Sequence, residues 1–407
     1  MTSPTEAVSP PDIYSEAFGR NPYPFYHALR DHHPVHLDPV SGRYLISRHA
    51  DVQVVLGGDG FSTRAYDHVV EPVYGRTLMQ EDGSEHARQR RFLTPLFQGA
   101  GLRQIFEPAI DRVVDRLVAR FAGAGEVELV DAFTAWFGVG IVADVLGVGE
   151  AEEPLILDWY SRILAYQFNL EGDPEVHADG LRASAEARAF LAGIVADRRQ
   201  RPGGDLISAL LGAEVAGETL DDEYVTSFCT LLIVAGSETT DKAAANLVKN
   251  LLEHPDVLER VRADRSLVDR AFAETLRFSP PLHMIVRTAA EDVELSGCAI
   301  PAGAEVLCMV GAANRDPRVF PDADAFDIHR PEQELRRAFT AGASHAAFGW
   351  GRHFCLGAQL AQVETRVAAN ALLDAMPDVR FAPGFTPREE GIWARAPRRL
   401  DLVFRRR

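Results

Sequence analysis

The sequence predicts a mainly α-helical protein with small β-sheets toward both ends of the chain. Three observations support this fold class. Apolar residues recur at helical spacing through most of residues 84–275, as in IFEPAIDRVVDRLVARF. Residues 35–46 alternate between apolar and polar around Ser41-Gly42, which is typical of a hairpin. After residue 283 short strand-like runs appear, namely IVRTA, DVEL and AEVLCMV.

Two long helices dominate the prediction. The longer runs from about Asp221 to Glu253, because Thr219 with Asp222 three residues later resembles a capped start and Pro255 follows the end. Its centre, FCTLLIVAG, is apolar on all sides, so we expect this helix to cross the core. The second is predicted to begin just after Cys355 and to end near residue 376.

Composition limits the function classes. The 407 residues suffice for a large core, and 46% hydrophobic with 25% charged residues is typical of a soluble globular protein. A net charge of −17 argues against binding to nucleic acid or anionic membranes. The start of the chain lacks a signal-peptide pattern, and the apolar stretch AWFGVGIVADVLGVG is interrupted by Asp144. We expect a cytoplasmic monomer with one domain over residues 1–407, whose residues 1–20 form a loosely ordered extension.

Cys355 lies in FGWGRHFCLG, residues 348–357. A structural zinc site needs about four protein ligands, and no second cysteine is near, so an inert buried cysteine is the ordinary alternative. However, Gly349, Gly351 and Gly357 permit tight turns and close approach to a flat ligand. The start of the predicted helix also favours a thiolate. One thiolate suffices where a macrocycle supplies the other ligands, as in haem.

The pattern F-G-x-G-x-H-x-C-L-G resembles the haem-ligand loop of the cytochrome P450 family, and other family motifs occur in order over about residues 20–404. The resemblance implies the cytochrome P450 fold, with haem b between the long central helix and the helix after the cysteine. It makes Cys355 the axial ligand of the iron. It also implies that the following residues border the haem: Ala235, Gly236, Phe348, Gly349 and Gly357.

The segment AGSETT, residues 235–240, places an acid and an alcohol in the apolar centre of the long helix. Burying such groups is costly, although Ser and Thr often bond back to the carbonyl four residues earlier. The resemblance implies that Thr239 directs protons to the activated oxygen and that Glu238 relays them from solvent. Gly236 would leave room for dioxygen and let the helix open locally.

The segment EDGSEHARQRRFLTPLF, residues 81–97, carries His86 and Arg90 one helical turn apart. Taken alone, it predicts a basic amphipathic helix with a solvated face. The resemblance implies that both side chains bind haem propionates, together with Arg287 and His353. A buried dianion needs such cationic partners.

The segment ETLR contains Glu274 and Arg277 at i,i+3, which is usually a solvated surface pair. The resemblance adds Arg330 from FDIHR. It implies a structural cluster of these three residues that holds the cysteine loop in place.

The family's substrate-recognition segments match five stretches of this chain: 64–79, 163–182, 229–234, 282–286 and 392–393. Their residues are mostly apolar, which predicts a hydrophobic pocket. His283 would bind either a substrate oxygen or a backbone carbonyl, and the sequence leaves both open. The pocket candidates are Ile233, Val234, Leu282, His283, Met284, Ile285, Ile392 and Trp393.

The resemblance implies a monooxygenase that hydroxylates or epoxidises a hydrophobic small molecule in bacterial secondary metabolism. The chain has no flavin, iron–sulfur or dinucleotide-binding motif. We therefore expect electrons from a ferredoxin and its NAD(P)H-dependent reductase. The expected docking patch comprises Arg91, Arg103, Arg337 and Arg352. The alternatives are a peroxygenase driven by hydrogen peroxide, a haem-thiolate sensor or binding protein, and a relic without haem in which Cys355 is structural.

Overall fold

The computed structural model describes residues 9–169 and 172–406. Its α-helices are α1 (Glu16–Arg20), α2 (Tyr23–His32), α3 (His49–Gly57), α4 (Tyr66–Val69), α5 (Glu71–Tyr74), α6 (Gly83–Phe97), α7 (Gly99–Gly101), α8 (Glu107–Ala119), α9 (Ala135–Val145), α10 (Glu153–Gln167), α11 (Pro174–Gln200), α12 (Leu206–Leu211), α13 (Asp222–Glu253), α14 (Pro255–Ala263), α15 (Val268–Phe278), α16 (Val310–Ala313), α17 (Leu335–Ala338) and α18 (Ala358–Ala375). Two π-helical turns precede α8 and α9, at Leu102–Phe106 and Val130–Thr134.

The strands are short and group into small sheets. They are β1 (Val35–Leu37), β2 (Tyr44–Ile46), β3 (Phe61–Ser62), β4 (Glu126–Glu128), β5 (Glu214–Val215), β6 (Glu218–Thr219), β7 (Met284–Ala289), β8 (Val293–Leu295), β9 (Cys298–Ile300), β10 (Glu305–Met309), β11 (Arg380–Phe381), β12 (Glu389–Glu390), β13 (Ala396–Pro397) and β14 (Asp401–Val403). The predicted class, helix-rich with small sheets, is confirmed.

The largest sheet has five strands in the order β1-β2-β10-β7-β3. The predicted hairpin is confirmed, since β1 and β2 pair antiparallel with Val35 opposite Ile46. β10 runs parallel to β2 and antiparallel to β7, and Val306 lies opposite Arg287. Arg287 therefore projects from a strand that is paired on both sides.

The helix α13 crosses the core, as its apolar centre predicts. Its 32 residues are mostly buried, and it ends at Glu253, two residues before Pro255. The predicted cap is wrong, because the Asp221 side chain accepts the bond from the N–H of Tyr224 at 2.7 Å. Thr219 instead pairs with Glu214 in the β5–β6 hairpin. Asp221 directly precedes the first helical residue, and it therefore caps the helix where Thr219 was expected to do so.

α9 crosses α13 at very short distance. A Cβ on Gly138 would lie 2.7 Å from the carbonyl oxygen of Gly236 and 2.8 Å from the Cα of Ser237. A Cβ on Gly236 would in turn lie 2.8 Å from a methyl group of Val142. Glycine at both positions therefore lets the two backbones meet.

The N-terminal segment is part of the core from residue 13 onward. Ile13 and Phe18 are both 1% exposed, and the ring of Phe18 packs edge-on against Phe25 and Tyr26 at 5.5 Å. The prediction of a loosely ordered extension over residues 1–20 is therefore wrong for residues 13–20. Residues 1–8 lie outside the described residues.

Both lysines of the chain lie on α13, against forty arginines elsewhere. Lys242 binds Asp241 at 2.7 Å, and Lys249 lies 2.7 Å from Glu253 and 3.0 Å from Glu389. Their side chains are 24% and 7% exposed. Among the described helices, none is both long and apolar enough to cross a membrane.

Candidate active site

The segment 348–357 forms a tight loop before α18. The N–H of Cys355 donates to the carbonyl of Phe348 at 2.9 Å, and Gly349 and Gly351 adopt φ of +68° and +70°. A Cβ on Gly351 would lie 2.8 Å from the Cα of Gly57. Glycine is thus required both for the turn and for contact with the end of α3.

Cys355 is an exposed residue beside the first turn of α18, although protein atoms surround its sulfur. Burial by the surrounding loop raises the pKa of the thiol, whereas the N–H of Gly357 and the charge of Arg90 lower it. Arg90 also donates to the carbonyl of Phe354 at 3.0 Å. The ring of Phe348 packs edge-on against Phe354 at 6.1 Å. The loop thus presents one cysteine sulfur with two groups that favour its thiolate form.

The AGSETT segment contains the accessible part of α13. Ala235 is exposed and Gly236 and Thr239 are partly exposed, although the helix is otherwise mostly buried. The Thr239 hydroxyl donates to the carbonyl of Ala235 at 2.9 Å. The helix remains continuous here, so the expected local opening is absent from the described structure. The Cβ position of Gly236 faces Val142, which gives this glycine a packing role in addition to any role toward dioxygen.

Glu238 is buried, with 5% of the residue exposed, and its carboxylate accepts a bond from the hydroxyl of Tyr160 on α10. Lys242 lies 3.8 Å away and also contacts Asp241. Burial raises the pKa of Glu238, and Lys242 opposes that shift. Lys242, whose side chain is 24% exposed, therefore connects the buried carboxylate of Glu238 to the surface. Sequence reasoning missed this lysine.

Four predicted propionate ligands come from three separate parts of the chain. The rings of His86 and His353 lie 4.3 Å apart, and Nε2 of His86 is buried without a partner. Burial, with the charges of His353 and Arg90, lowers the pKa of His86 to about 4. Arg287 is 6% exposed and lowers the pKa of His353, which burial also depresses. The four side chains are thus linked in series: the charge of Arg90 acts on His86, the His86 ring lies beside the His353 ring, and Arg287 acts on His353.

Buried cations of like sign require an anion or a carboxylate to offset their desolvation. A haem supplies two carboxylates, and its iron accepts a thiolate at an axial position. The exposed Cys355 and this cationic donor set, with an unpaired imidazole nitrogen, fit that group.

The Glu274–Arg277 pair is buried rather than solvated. Glu274 is 1% exposed and Arg277 0%, and they form two bonds of 2.6 and 2.8 Å. Arg330 lies 3.4 Å from the same carboxylate. Arg277 further donates to the carbonyls of Asn314 and Ala323 at 3.0 and 2.7 Å. The three charged residues thus fix several loop segments at once.

Asn314 connects this cluster to the cysteine loop, and sequence reasoning missed it. It is fully buried, its backbone carbonyl accepts from Arg277, and its Oδ1 accepts the N–H of Ala346 at 2.6 Å. Its Nδ2 donates to the carbonyl of Leu276 at 3.1 Å. The only sequence signal is a polar residue directly after the apolar run VLCMVGAA.

Glu364 on α18 is a second missed residue. It is 4% exposed and accepts a bond from the Thr240 hydroxyl at 3.1 Å. Burial raises its pKa to about 7, and the bond from Thr240 opposes that shift. It joins α18 directly to the residue after Thr239.

The predicted pocket residues do not all meet. His283 is 0% exposed, its Nδ1 lies 2.9 Å from the hydroxyl of Tyr26, and its Nε2 is buried without a partner among the described residues. Met284 and Ile285 alternate on β7 and pack into different apolar clusters. They cannot face one pocket together.

The remaining pocket candidates are positioned as follows. Leu282, Ile392 and Trp393 are partly exposed, and Leu282 pairs with Ala394 next to Trp393. The ring of Trp393 lies 5.9 Å from that of Phe168. Ile233 and Val234 are buried on α13 directly before the exposed Ala235.

The predicted docking arginines are all exposed. Arg352 pairs with Asp59 and Asp82, each at 3.3 Å, so its charge is partly neutralised. Arg103 lines a groove of about 530 Å³ that flanks the first half of α18. The groove is lined by Gly99, Leu102, Arg103, Glu107, Leu335, Arg336, Phe339, Thr340, Gln359, Gln362 and Val363.

Known proteins share both the sequence and the fold. The family model for cytochrome P450 matches residues 181–375. The pulcherriminic acid synthase of Bacillus subtilis is 36% identical over 394 residues, which cover 96% of this chain and 97% of that protein. Two solved structures cover at least 94% of this chain: ligand-free cytochrome P450 TbtJ1 (98% of that chain, TM-score 0.85, 32% identity) and Bacillus megaterium CYP109E1 with testosterone (99% of that chain, TM-score 0.82, 28% identity). The chain therefore belongs to the cytochrome P450 family of haem-thiolate monooxygenases.

Proposed function

We propose that this enzyme hydroxylates or epoxidises a hydrophobic small molecule of bacterial secondary metabolism, with haem b bound through the Cys355 thiolate and electrons supplied by a ferredoxin and its NAD(P)H-dependent reductase. The observation that supports the haem site is the exposed Cys355 beside α18, with Arg90 acting on its thiol. The propionates would be bound by His86, Arg90, Arg287 and His353.

The haem, when bound, supplies the oxygen-activating chemistry. The chain's own residues control protons and water around it. Thr239 offers a hydroxyl on the accessible part of α13, and that hydroxyl must turn from the Ala235 carbonyl to donate elsewhere. Glu238 holds or releases a proton at its carboxylate between Tyr160 and Lys242. These two residues favour use of dioxygen over direct use of hydrogen peroxide, which needs no such proton supply.

The substrate proposal rests on apolar candidates. Ile233, Val234, Leu282 and Trp393 are apolar and lie before or near accessible surface, whereas His283 is fully buried and bonded to Tyr26 through Nδ1. The testosterone complex of a similar P450 supports a hydrophobic small molecule, and the name pulcherriminic acid synthase supports a role in biosynthesis.

The ferredoxin proposal rests on the groove beside α18. It lies next to the helix that follows Cys355, and its rim carries Arg103 and Arg336 on a protein of net charge −17. Local positive charge of this kind can steer an acidic partner to one face.

The test is a difference spectrum of the reduced protein with carbon monoxide. Thiolate ligation predicts a red-shifted Soret band for the wild type and for Cys298→Ser, a control at a partly exposed cysteine. Cys355→Ser should abolish that band. A wild type that binds no haem, or a Cys355→Ser protein with an unchanged band, would contradict the proposal. Turnover with hydrogen peroxide and none with ferredoxin would instead favour the peroxygenase.

A further inference from the structure

Asp82 occupies the start of α6, between the substrate loop and the cysteine loop. Its Oδ1 lies 2.9 Å from Nε2 of His353 and 3.3 Å from Nε of Arg352. Its Oδ2 accepts from the N–H of Thr63 at 3.1 Å and from the Thr63 hydroxyl at 3.3 Å. Both carboxylate oxygens are therefore committed, each to a different segment of the chain.

The two bonds to Thr63 close the base of the segment 63–82. This segment contains α4 and α5 and includes residues 64–79, which match a substrate-recognition segment of the family. The bond to His353 joins the same base to the loop that carries Cys355. A movement of this carboxylate would therefore displace both the segment 63–82 and the loop that carries Cys355.

The groups around Asp82 are mostly basic. Arg352 and His353 contact it directly, and His86 stacks on the His353 ring. Arg287 acts electrostatically on His353. Although burial opposes it, the bonds from His353 and Thr63 hold the pKa of Asp82 below its ordinary value.

We infer that Asp82 is the positioning residue for the haem propionate site, because it holds His353 by Nε2 and leaves the other ring nitrogen for a propionate. A carboxylate that accepts from one ring nitrogen fixes both the orientation and the tautomer of an imidazole. This inference rests on the proposed haem site and adds to it a residue that does not itself touch the haem.

Two measurable consequences follow for Asp82→Asn in the holoenzyme. Loss of the orienting carboxylate should speed haem loss roughly tenfold, as changes to outer partners of ligands usually do. Removal of one negative charge beside His353 should also raise the reduction potential of the bound haem, since that charge would favour the oxidised centre.

The chain offers a matched control. Asp59 pairs with the same Arg352 at 3.3 Å, but its side chain is fully exposed and has no described bond to His353. Asp59→Asn therefore removes the same charge type from the same arginine without changing the imidazole contact.

The experiment measures haem transfer to excess apomyoglobin and the reduction potential for wild type, Asp82→Asn and Asp59→Asn. We expect faster transfer and a higher potential only for Asp82→Asn. Equal values for the two variants would overturn the inference while leaving the haem site intact. Absence of haem from the wild type would instead contradict the proposed function.

A double-mutant cycle covers the case in which Asp82→Asn folds poorly. Asp82→Asn and His353→Gln should be strongly non-additive in haem-transfer rate, since one acts through the other. Additive effects of the two substitutions would show that Asp82 acts on the fold generally, and would overturn the inference.

Discussion

The hydroxyl of Thr239 is bonded within its own helix, and Thr230 is bonded in the same way. Thr239 donates to Ala235 at 2.9 Å, and Thr230 donates to Thr226 at 2.8 Å. Thr239 is partly exposed, whereas Thr230 is fully buried. Two chemically equal threonines on α13 therefore differ only in access to a ligand.

This difference gives a direct test of the proton role. Thr239→Val should lower product formed per NAD(P)H roughly tenfold and raise hydrogen peroxide release, because one well-placed hydrogen bond is lost. Thr230→Val removes the same type of helix bond and should change neither ratio. Oxygen-electrode and peroxide assays with any ligand that shifts the haem spin state measure both. Equal peroxide release from the two variants would count against the role of Thr239.

Glu364 makes stability depend on pH. Its folded pKa is about 7, raised from the ordinary 4.5, so the folded protein holds this proton more tightly than the unfolded chain. The stability associated with protonated Glu364 is present at low pH and is lost as the pH rises from about 4.5 through about 7.

The variant Glu364→Gln should not lose stability in this way as the pH rises, because glutamine stays neutral. Its free energy of unfolding relative to wild type should rise between pH 5 and pH 8 by on the order of 3 kcal/mol. Urea unfolding of the holoenzyme across this range measures it, with the exposed Glu294→Gln as control. A constant difference between Glu364→Gln and wild type at all pH values would show that Glu364 is not protonated in the fold.

Single residues show where prediction from sequence succeeds. Arg277 and Cys355 belong to motifs with fixed spacing, so their placement needs no knowledge of the surroundings. Asp82, Asn314 and Glu364 act through partners 19 to 271 positions away in the chain, which no local pattern shows. The contact of His283 with Tyr26 could not be predicted for the same reason, because Tyr26 lies 257 residues earlier.

The crossing of α9 and α13 requires a glycine on each helix. The backbones meet at Gly138 and Gly236, and the segment with Thr239 follows directly. The contact between the two backbones therefore determines the position of the exposed part of α13 relative to α9. Helix periodicity predicted α13 itself, but it carries no information on how closely a second helix approaches.

Gly138→Ala tests this crossing. The added methyl would meet backbone atoms of Gly236 and Ser237 at 2.7 to 2.9 Å, so we expect a destabilisation of roughly 1–3 kcal/mol. Gly193→Ala on α11 meets nothing within 4 Å and should stabilise by about 0.5–1 kcal/mol. Chemical denaturation of both proteins provides the comparison. Stabilisation by Gly138→Ala would mean that the helices can separate at no cost.

The molecule as a whole is acidic, and the groove beside α18 carries local positive charge. Arg103 lines it, and Arg337 lies on α17, which contributes Leu335 and Arg336 to the lining; Arg103 and Arg337 are both exposed. An acidic ferredoxin would be repelled by most of the surface and attracted here. Long-range repulsion with local attraction favours one orientation of the partner.

Reversal of these charges should weaken ferredoxin binding. We expect Arg103→Glu with Arg337→Glu to raise the Kd roughly tenfold at low ionic strength, and the effect to shrink as salt is added. Arg182→Glu, at a 62% exposed arginine on α11, is the control. Titrations of ferredoxin at several salt concentrations measure this. An unchanged Kd and salt slope for the double variant would place the docking surface elsewhere.

The two lysines of α13 have a practical consequence for the study of such a complex. Both ammonium groups are held between carboxylates, and their side chains are at most 24% exposed. Amine-reactive reagents should therefore modify little beyond the N-terminal amine. Carbodiimide coupling between side chains should therefore proceed in one direction, from carboxylates of this enzyme to lysines of its partner. Each cross-linked peptide would then report an acidic rim residue here and an amine on the ferredoxin.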